Sequence, residues 1–207
     1  VSRTEEELQR EETEMAEKGI AFYSREHEAY PARLKEIHHP PCGLFVRGRL
    51  PHFEKEKKEV QAAAVVGARW ASHAGLSLAK ETAGALAEEG IPVISGMASG
   101  IDGAAQEAAL MAGGESYAVL GCGPDICYPK DHRQLYLQLE KMGGIISEYP
   151  PGTPVCPYHF PMRNRLISGL CDCIIVIEAK KKSGSLITAD LALEQGRDVL
   201  AVPGRVT

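Results

Sequence analysis

The 207 residues suffice for one large domain, or for one domain with a small appendage. Apolar residues at 44% and charged residues at 25% fit an ordinary globular chain, and no apolar run approaches the ~18 residues a membrane span needs. The formal charge of -5 argues against a nucleic-acid coat protein, although a local basic groove would survive such averaging.

Residues 1–60 read as a charged helical lead-in with one short strand, packing on a core formed by residues 61–207. The acidic run Glu5 to Glu17 predicts a solvated helix and is unlike a secretory signal. Tyr30-Pro31 and His39-Pro40-Pro41 mark turns, and Gly43 to Gly48 predicts the short strand. From Ala62 onward, short apolar runs alternate with helical patterns. Strands are predicted at Ala62–Val66, Ile91–Ser95, Tyr117–Leu120, Gly144–Ser147, Cys173–Glu178 and Asp198–Val202. Helices are predicted at Gly75–Glu89, Gly103–Ala112, Asp131–Met142, Pro161–Leu170 and Ser183–Gln195. Buried strands alternating with helices imply an α/β fold, an extended, Rossmann-like and mostly parallel doubly wound sheet with helices on both faces.

In such a sheet ligands bind beyond the carboxyl ends of the strands, near the point where strand order reverses. Here nearly every strand runs into glycine or small polar residues. Gly67-Ala68-Arg69 follows the first predicted core strand, and Ser95-Gly96-Met97-Ala98-Ser99-Gly100 follows the second. Gly121 follows the third, and Lys182-Ser183-Gly184-Ser185 opens the last helix. Glycine lets backbone N–H groups approach a ligand, and helix N-termini favour anions. One such glycine could serve turn geometry alone; several on one edge favour a phosphate site.

Several ligand classes lack their motif. No Gly-x-Gly-x-x-Gly follows the first core strand, no Gly-x-x-x-x-Gly-Lys-[Ser/Thr] occurs, and there is no Gly-x-Ser-x-Gly elbow. The six cysteines lack paired spacing for zinc and read as reduced, buried thiols of a cytoplasmic protein. No metal or cofactor is expected. Basic and aromatic residues do gather near the loops: Arg69, Lys130, Phe160, Arg163, Asn164, Arg165 and Lys182. Stacking on an aromatic with cations along the backbone is how single strands of nucleic acid are held. Phe160 also suits core packing, and Lys180 to Lys182 suit a solvated loop. Arg163 and Arg165 near a helix N-terminus oppose the helix dipole unless an anion lies close by.

The same residues carry a family resemblance. Val66-Gly67-Ala68-Arg69, Ser95-Gly96-Met97-Ala98-Ser99-Gly100-Ile101-Asp102 and Tyr128-Pro129 resemble the DprA/Smf family of DNA-processing proteins. Ser147-Glu148-Tyr149-Pro150-Pro151-Gly152, Phe160-Pro161-x-Arg163-Asn164-Arg165, Lys182-Ser183-Gly184-Ser185 and Ala201-Val202-Pro203-Gly204 continue it in order. The resemblance implies a homodimer that binds incoming single-stranded DNA and loads the RecA recombinase onto it during natural transformation, with no catalytic residues. It implies that Arg69 contacts DNA, with Lys130 a second contact and Phe160 a stacking residue. Two departures imply weaker binding. Ala68 stands where the family usually has Ser, and the Met97–Ser99 stretch lacks an Arg that often precedes the next glycine. The chain opens on Val1 and stops at Thr207, where many members continue into a winged-helix-like tail, so a fragment is expected. The alternative reading is a nucleotide-binding or nucleotide-hydrolysing Rossmann-like enzyme, with Glu148 and Glu178 as cleft carboxylates. The Pro-Gly-Gly-x-Gly-Thr loop and paired catalytic Glu usual in the nucleotide phosphoribohydrolases, which share a related Rossmann-like fold, are absent.

Overall fold

The computed structural model describes residues 4–54 and 59–204. Helix α1 (Glu5–Glu17) leads into strands β1 (Ile20–Ser24) and β2 (Gly43–Gly48). The core then runs β3 (Ala63–Val66), α2 (His73–Glu88), β4 (Val93–Ser95), α3 (Ile101–Met111), β5 (Ser116–Val119) and α4 (Arg133–Met142). It continues through β6 (Gly143–Ser147), α5 (His159–Leu170), β7 (Cys173–Val176), α6 (Gly184–Glu194) and β8 (Asp198–Ala201).

All eight strands form one sheet in the order β1-β2-β6-β5-β4-β3-β7-β8. The six core strands are mutually parallel, while β1 pairs antiparallel with β2 and β2 antiparallel with β6. Strand β1 has no counterpart among the predicted strands. Its burial pattern shows why, since Ala21 and Phe22 are exposed in the middle of an otherwise apolar run and no alternation marks a buried face.

Side-chain alternation decides which helix covers which face. Ala64, Val66, Ile94, Tyr117, Val119, Ile146 and Ile174 point to one side, where Leu166, Ile167 and Leu170 of α5 and Ala189 and Ala192 of α6 pack on them. Val65 and Val93 point to the other, beneath an alanine stripe of α2 (Ala79, Ala83, Ala87) and Ile101, Ala105 and Ala109 of α3. Ala118 and Ile145 face that second side too, under Leu135, Tyr136 and Leu139 of α4. Alanine at every fourth position gives α2 a narrow apolar seam, so it can lie close to α3.

The chain starts the parallel sheet at β3, builds outward through β6, then returns to place β7 on the other side of β3. The strand order therefore reverses between β3 and β7, and the loops leaving their carboxyl ends diverge there. One position at the far end tolerates no side chain. A β-carbon on Gly143, where β6 begins, would overlap the Ser116 carbonyl oxygen across the sheet. Gly143→Ala should therefore lower stability by roughly 1–3 kcal/mol through overpacking. The expected readout is a lower urea midpoint with an unchanged slope.

Candidate nucleic-acid interface

An open cleft of about 510 Å³ lies at the β3/β7 reversal, lined by Gly67, Arg69, Phe160, Arg163, Asn164 and Ser183 among others. Its remaining walls include Asp102, Tyr128, Gly184, Ser185 and Thr188. Eight of the residues singled out from the sequence thus meet in one place: Gly67, Arg69, Phe160, Arg163, Asn164, Ser183, Gly184 and Ser185.

The loop carrying Arg69 is fixed at both ends. The Ala68 N–H donates to the Glu178 carbonyl at 2.7 Å, and the Ile101 N–H donates to the Ala68 carbonyl at 3.2 Å. Ser72 caps α2 through its hydroxyl, which accepts from the Gly75 N–H at 3.1 Å. The Ser72 N–H and hydroxyl both donate to the Glu178 carboxylate, at 3.0 and 2.7 Å. These bonds to its charged form hold the Glu178 carboxyl below the usual carboxylate range. From this platform the Arg69 guanidinium lies over the Phe160 ring, 5.2 Å from its centroid. Tyr128 leans on the same ring, with centroids 5.6 Å apart. Arg69 has no carboxylate partner among the described residues, so ring and solvent share its charge.

In the cleft floor Arg163 is buried, and its Nη1 donates to the carbonyls of Val119 and Gly96, the latter at 3.0 Å. Burial lowers its pKa to about 10, opposed by the nearby Asp102 charge, so it stays protonated near neutrality. Burial raises the Asp102 carboxyl, against the pull of Arg163 and of the Gly96 N–H that donates to it at 3.1 Å. Arg163 Nε has no hydrogen-bond partner among the described residues.

The glycines interlock the loops as much as they open the cleft. A β-carbon on Gly96 would sit 2.6 Å from the Arg163 guanidinium nitrogens. One on Gly67 would meet Ile101 Cγ1 at 2.6 Å and the Glu178 carbonyl at 2.9 Å. Gly100 has φ +82° and presses on the backbone of Ala68 and Arg69, a position that any β-carbon would fill. Gly184 alone of the cleft glycines faces open space.

The remaining singled-out residues lie around the cleft. The buried Ser95 hydroxyl donates to the Val65 carbonyl at 2.7 Å, and Gly121 packs against His159 and Phe160. Lys130 and Lys182 are exposed and do not line the cleft. Arg165 turns away from it, making a two-point ion pair with Glu148 at 2.8 and 2.6 Å and donating from Nε to the His39 carbonyl at 3.0 Å. Arg165 has its anion in Glu148, whereas Arg163 donates to carbonyls and is influenced by the Asp102 charge without pairing with it. Among the polar and aromatic wall residues, Asp102, Tyr128 and Thr188 were not candidates, although Asp102 and Tyr128 stand in the motifs quoted above. Asp102 is an acid in the first turn of α3 within a glycine loop, and Thr188 lies one turn beyond Gly184. Both signals are legible once the cleft is known. Among the described residues no His, Cys, Asp and Glu cluster could hold a metal ion, and no helix is long and apolar enough to cross a membrane.

The cleft at the switch point of this Rossmann-like sheet thus carries an aromatic ring and a cation with no carboxylate partner among the described residues. The chain belongs to the family described as DNA recombination-mediator protein A, whose pattern matches residues 21–207. It is 43% identical over 179 residues to the DNA processing protein DprA of Streptococcus pneumoniae, covering 86% of this chain and 61% of that one. It is 40% identical over 188 residues to DprA of Bacillus subtilis, covering 91% and 62%. The chain thus spans about three-fifths of the length of these curated relatives. The X-ray structure of the S. pneumoniae protein superposes with a TM-score of 0.82 at 38% identity, covering 94% of this chain and 68% of that one. A structure of DNA processing protein A from Helicobacter pylori, which concerns that protein's single-stranded DNA binding mode, superposes at 0.78 with 26% identity, covering 90% and 82%.

Two outcomes test the site's internal electrostatics. Arg163→Met should cost about 1.5–3 kcal/mol by removing the charged donor to the Gly96 and Val119 carbonyls, together with the charge that favours ionised Asp102. Adding Asp102→Asn should recover part of that loss; strictly additive losses in a denaturant double-mutant cycle would contradict the coupling. Glu178 sets a pH signature. Its lowered folded pKa means that the unfolded chain binds the proton more readily, so its contribution is present above the ordinary value of 4.5. The stability gap between wild type and Glu178→Gln should close as pH falls through the lowered value. A gap that persists at low pH would contradict the assignment.

Proposed function

We propose that this chain binds single-stranded DNA in the β3/β7 cleft without turning it over, and hands it to the RecA recombinase as a homodimer in the cytoplasm during natural transformation. The observation that carries the reading is Arg69. Arg33, Arg47, Arg49 and Arg165 each pair with a carboxylate, whereas Arg69 is held rigidly above an aromatic ring with its charge uncommitted. A cation beside a stacking surface suits a nucleic-acid strand, whose phosphates and bases alternate. The exposed Lys130 and Lys182 flank the cleft and extend its positive potential along a polymer. The relatives' description as recombination mediators supports transfer to a recombinase. Six free thiols suit a reducing compartment.

The hydrolase alternative finds little support. Glu148 is committed to Arg165 and Glu178 to Ser72, and neither lines the cleft. Binding without chemistry fits these carboxylates better than acid–base work does.

Anisotropy titrations with labelled oligo-thymidine should show binding that weakens as salt rises, with each phosphate contact adding about 0.7 to the log–log slope. Arg69→Ala should weaken binding at least about tenfold and reduce that slope by about 0.7. Unchanged affinity would overturn the assignment of the site. Light scattering of the same sample, with and without DNA, tests the dimer.

A further inference from the structure

Trp70 is the chain's only tryptophan, and it is 90% exposed. Tryptophan is the largest apolar side chain and is ordinarily mostly buried, so near-complete exposure calls for a reason. Among the described residues it has no ring or cation partner, and it belongs to none of the three buried clusters. Its backbone is nevertheless anchored on both sides. Ala68 is tied to β7 and α3, Gly100 presses on the Arg69 backbone, and Ser72 is clamped by Glu178. A large indole is thus displayed on a rigid support rather than on a wandering tip, which limits the entropy lost when it stacks.

Its neighbour decides what would stack. Arg69 lines the cleft and carries the uncommitted cation, and Trp70 follows it directly but stands outside the cleft wall. A strand whose phosphate rests on Arg69 and that runs out of the cleft along this loop brings a base to Trp70. We infer that Trp70 is a base-stacking residue, distinct from the Phe160–Tyr128 pair inside the cleft, that takes an unpaired nucleobase of the strand as it leaves Arg69. This inference rests on the single-stranded DNA reading of the cleft. It names a second aromatic station, so the footprint extends beyond the cleft itself. Indole stacking is indifferent to base identity because every base offers a π-face. It adds length and affinity without adding sequence preference.

A solitary tryptophan makes the test direct. Wild-type emission is followed while unlabelled oligo-thymidine is added, alongside anisotropy with a labelled copy. The same titrations are run with an oligonucleotide of equal length that carries abasic sites, which keeps the phosphates but removes the bases. Quenching is expected with the intact strand and little with the abasic one. Trp70→Ala should bind about tenfold more weakly with the salt slope unchanged, because a stacked base and not a phosphate contact is lost. Trp70→Phe should keep most of the affinity. Circular dichroism of both variants should match wild type, since the exposed ring supports no core. Emission unchanged at saturating DNA, together with Trp70→Ala binding within twofold of wild type, overturns the assignment while leaving the Arg69 site standing. Equal quenching by the abasic strand also overturns it. Absence of any anisotropy change for wild type removes the cleft reading itself, and this inference with it.

Discussion

The cleft depends on a guanidinium that is almost wholly buried in its floor. Arg163 leaves the first turns of α5, passes under the switch point and donates to the carbonyls that end β4 and β5. Asp102, in the first turn of α3, lies close enough for its charge to favour the protonated guanidinium, and it accepts from the Gly96 N–H. One side chain therefore joins three elements at the edge where the loops diverge. Burying a charge this way is costly and needs a partner and saturated carbonyls nearby. The glycines follow from it. Gly96 must lack a side chain because the guanidinium occupies that space, and Gly100 must lack one because the Arg69 loop lies there. The rim that carries Arg69, Phe160 and Trp70 is rigid because this layer beneath it is full.

Much of this architecture was legible in the amino-acid order. The alternation of short apolar runs with helical patterns located every core strand and helix to within a few residues, because a two-sided buried strand must be apolar throughout. Strand β1 was not legible, since its middle residues are exposed and its pairing with β2 is a matter of sheet edge rather than pattern. The gathering of glycines and cations at one edge was readable too, but their division of labour was not. Arg69, Arg163 and Arg165 look alike in sequence. Only packing separates an arginine over an open ring from one buried in the floor and one locked to Glu148. The helix dipole calls for no anion here, because α5 starts at His159 and places both arginines beyond its first turn, and Arg165 is already paired with Glu148.

That division has a bearing on ligand choice. A cleft for a small nucleotide usually closes around it and aims several donors at one phosphate. Here the walls are small side chains, the rim is aromatic, and the uncommitted cations are spread along the surface. A spread of weak, repeated contacts suits a chain molecule better than a compact one, and makes affinity grow with its length.

The antiparallel edge has a consequence for how the chain is made. Strands β1 and β2 are synthesised first, yet the only core neighbour of β2 is β6, which lies roughly a hundred residues later. At about 5–20 residues per second the ribosome needs some 5–20 seconds to deliver that partner. Through that interval the early hairpin has an open flank, and β3 likewise awaits β7. An isolated two-stranded hairpin is marginal in water. The nascent chain therefore spends seconds with two unpaired strand edges exposed, and the sheet closes only when its last third has been made.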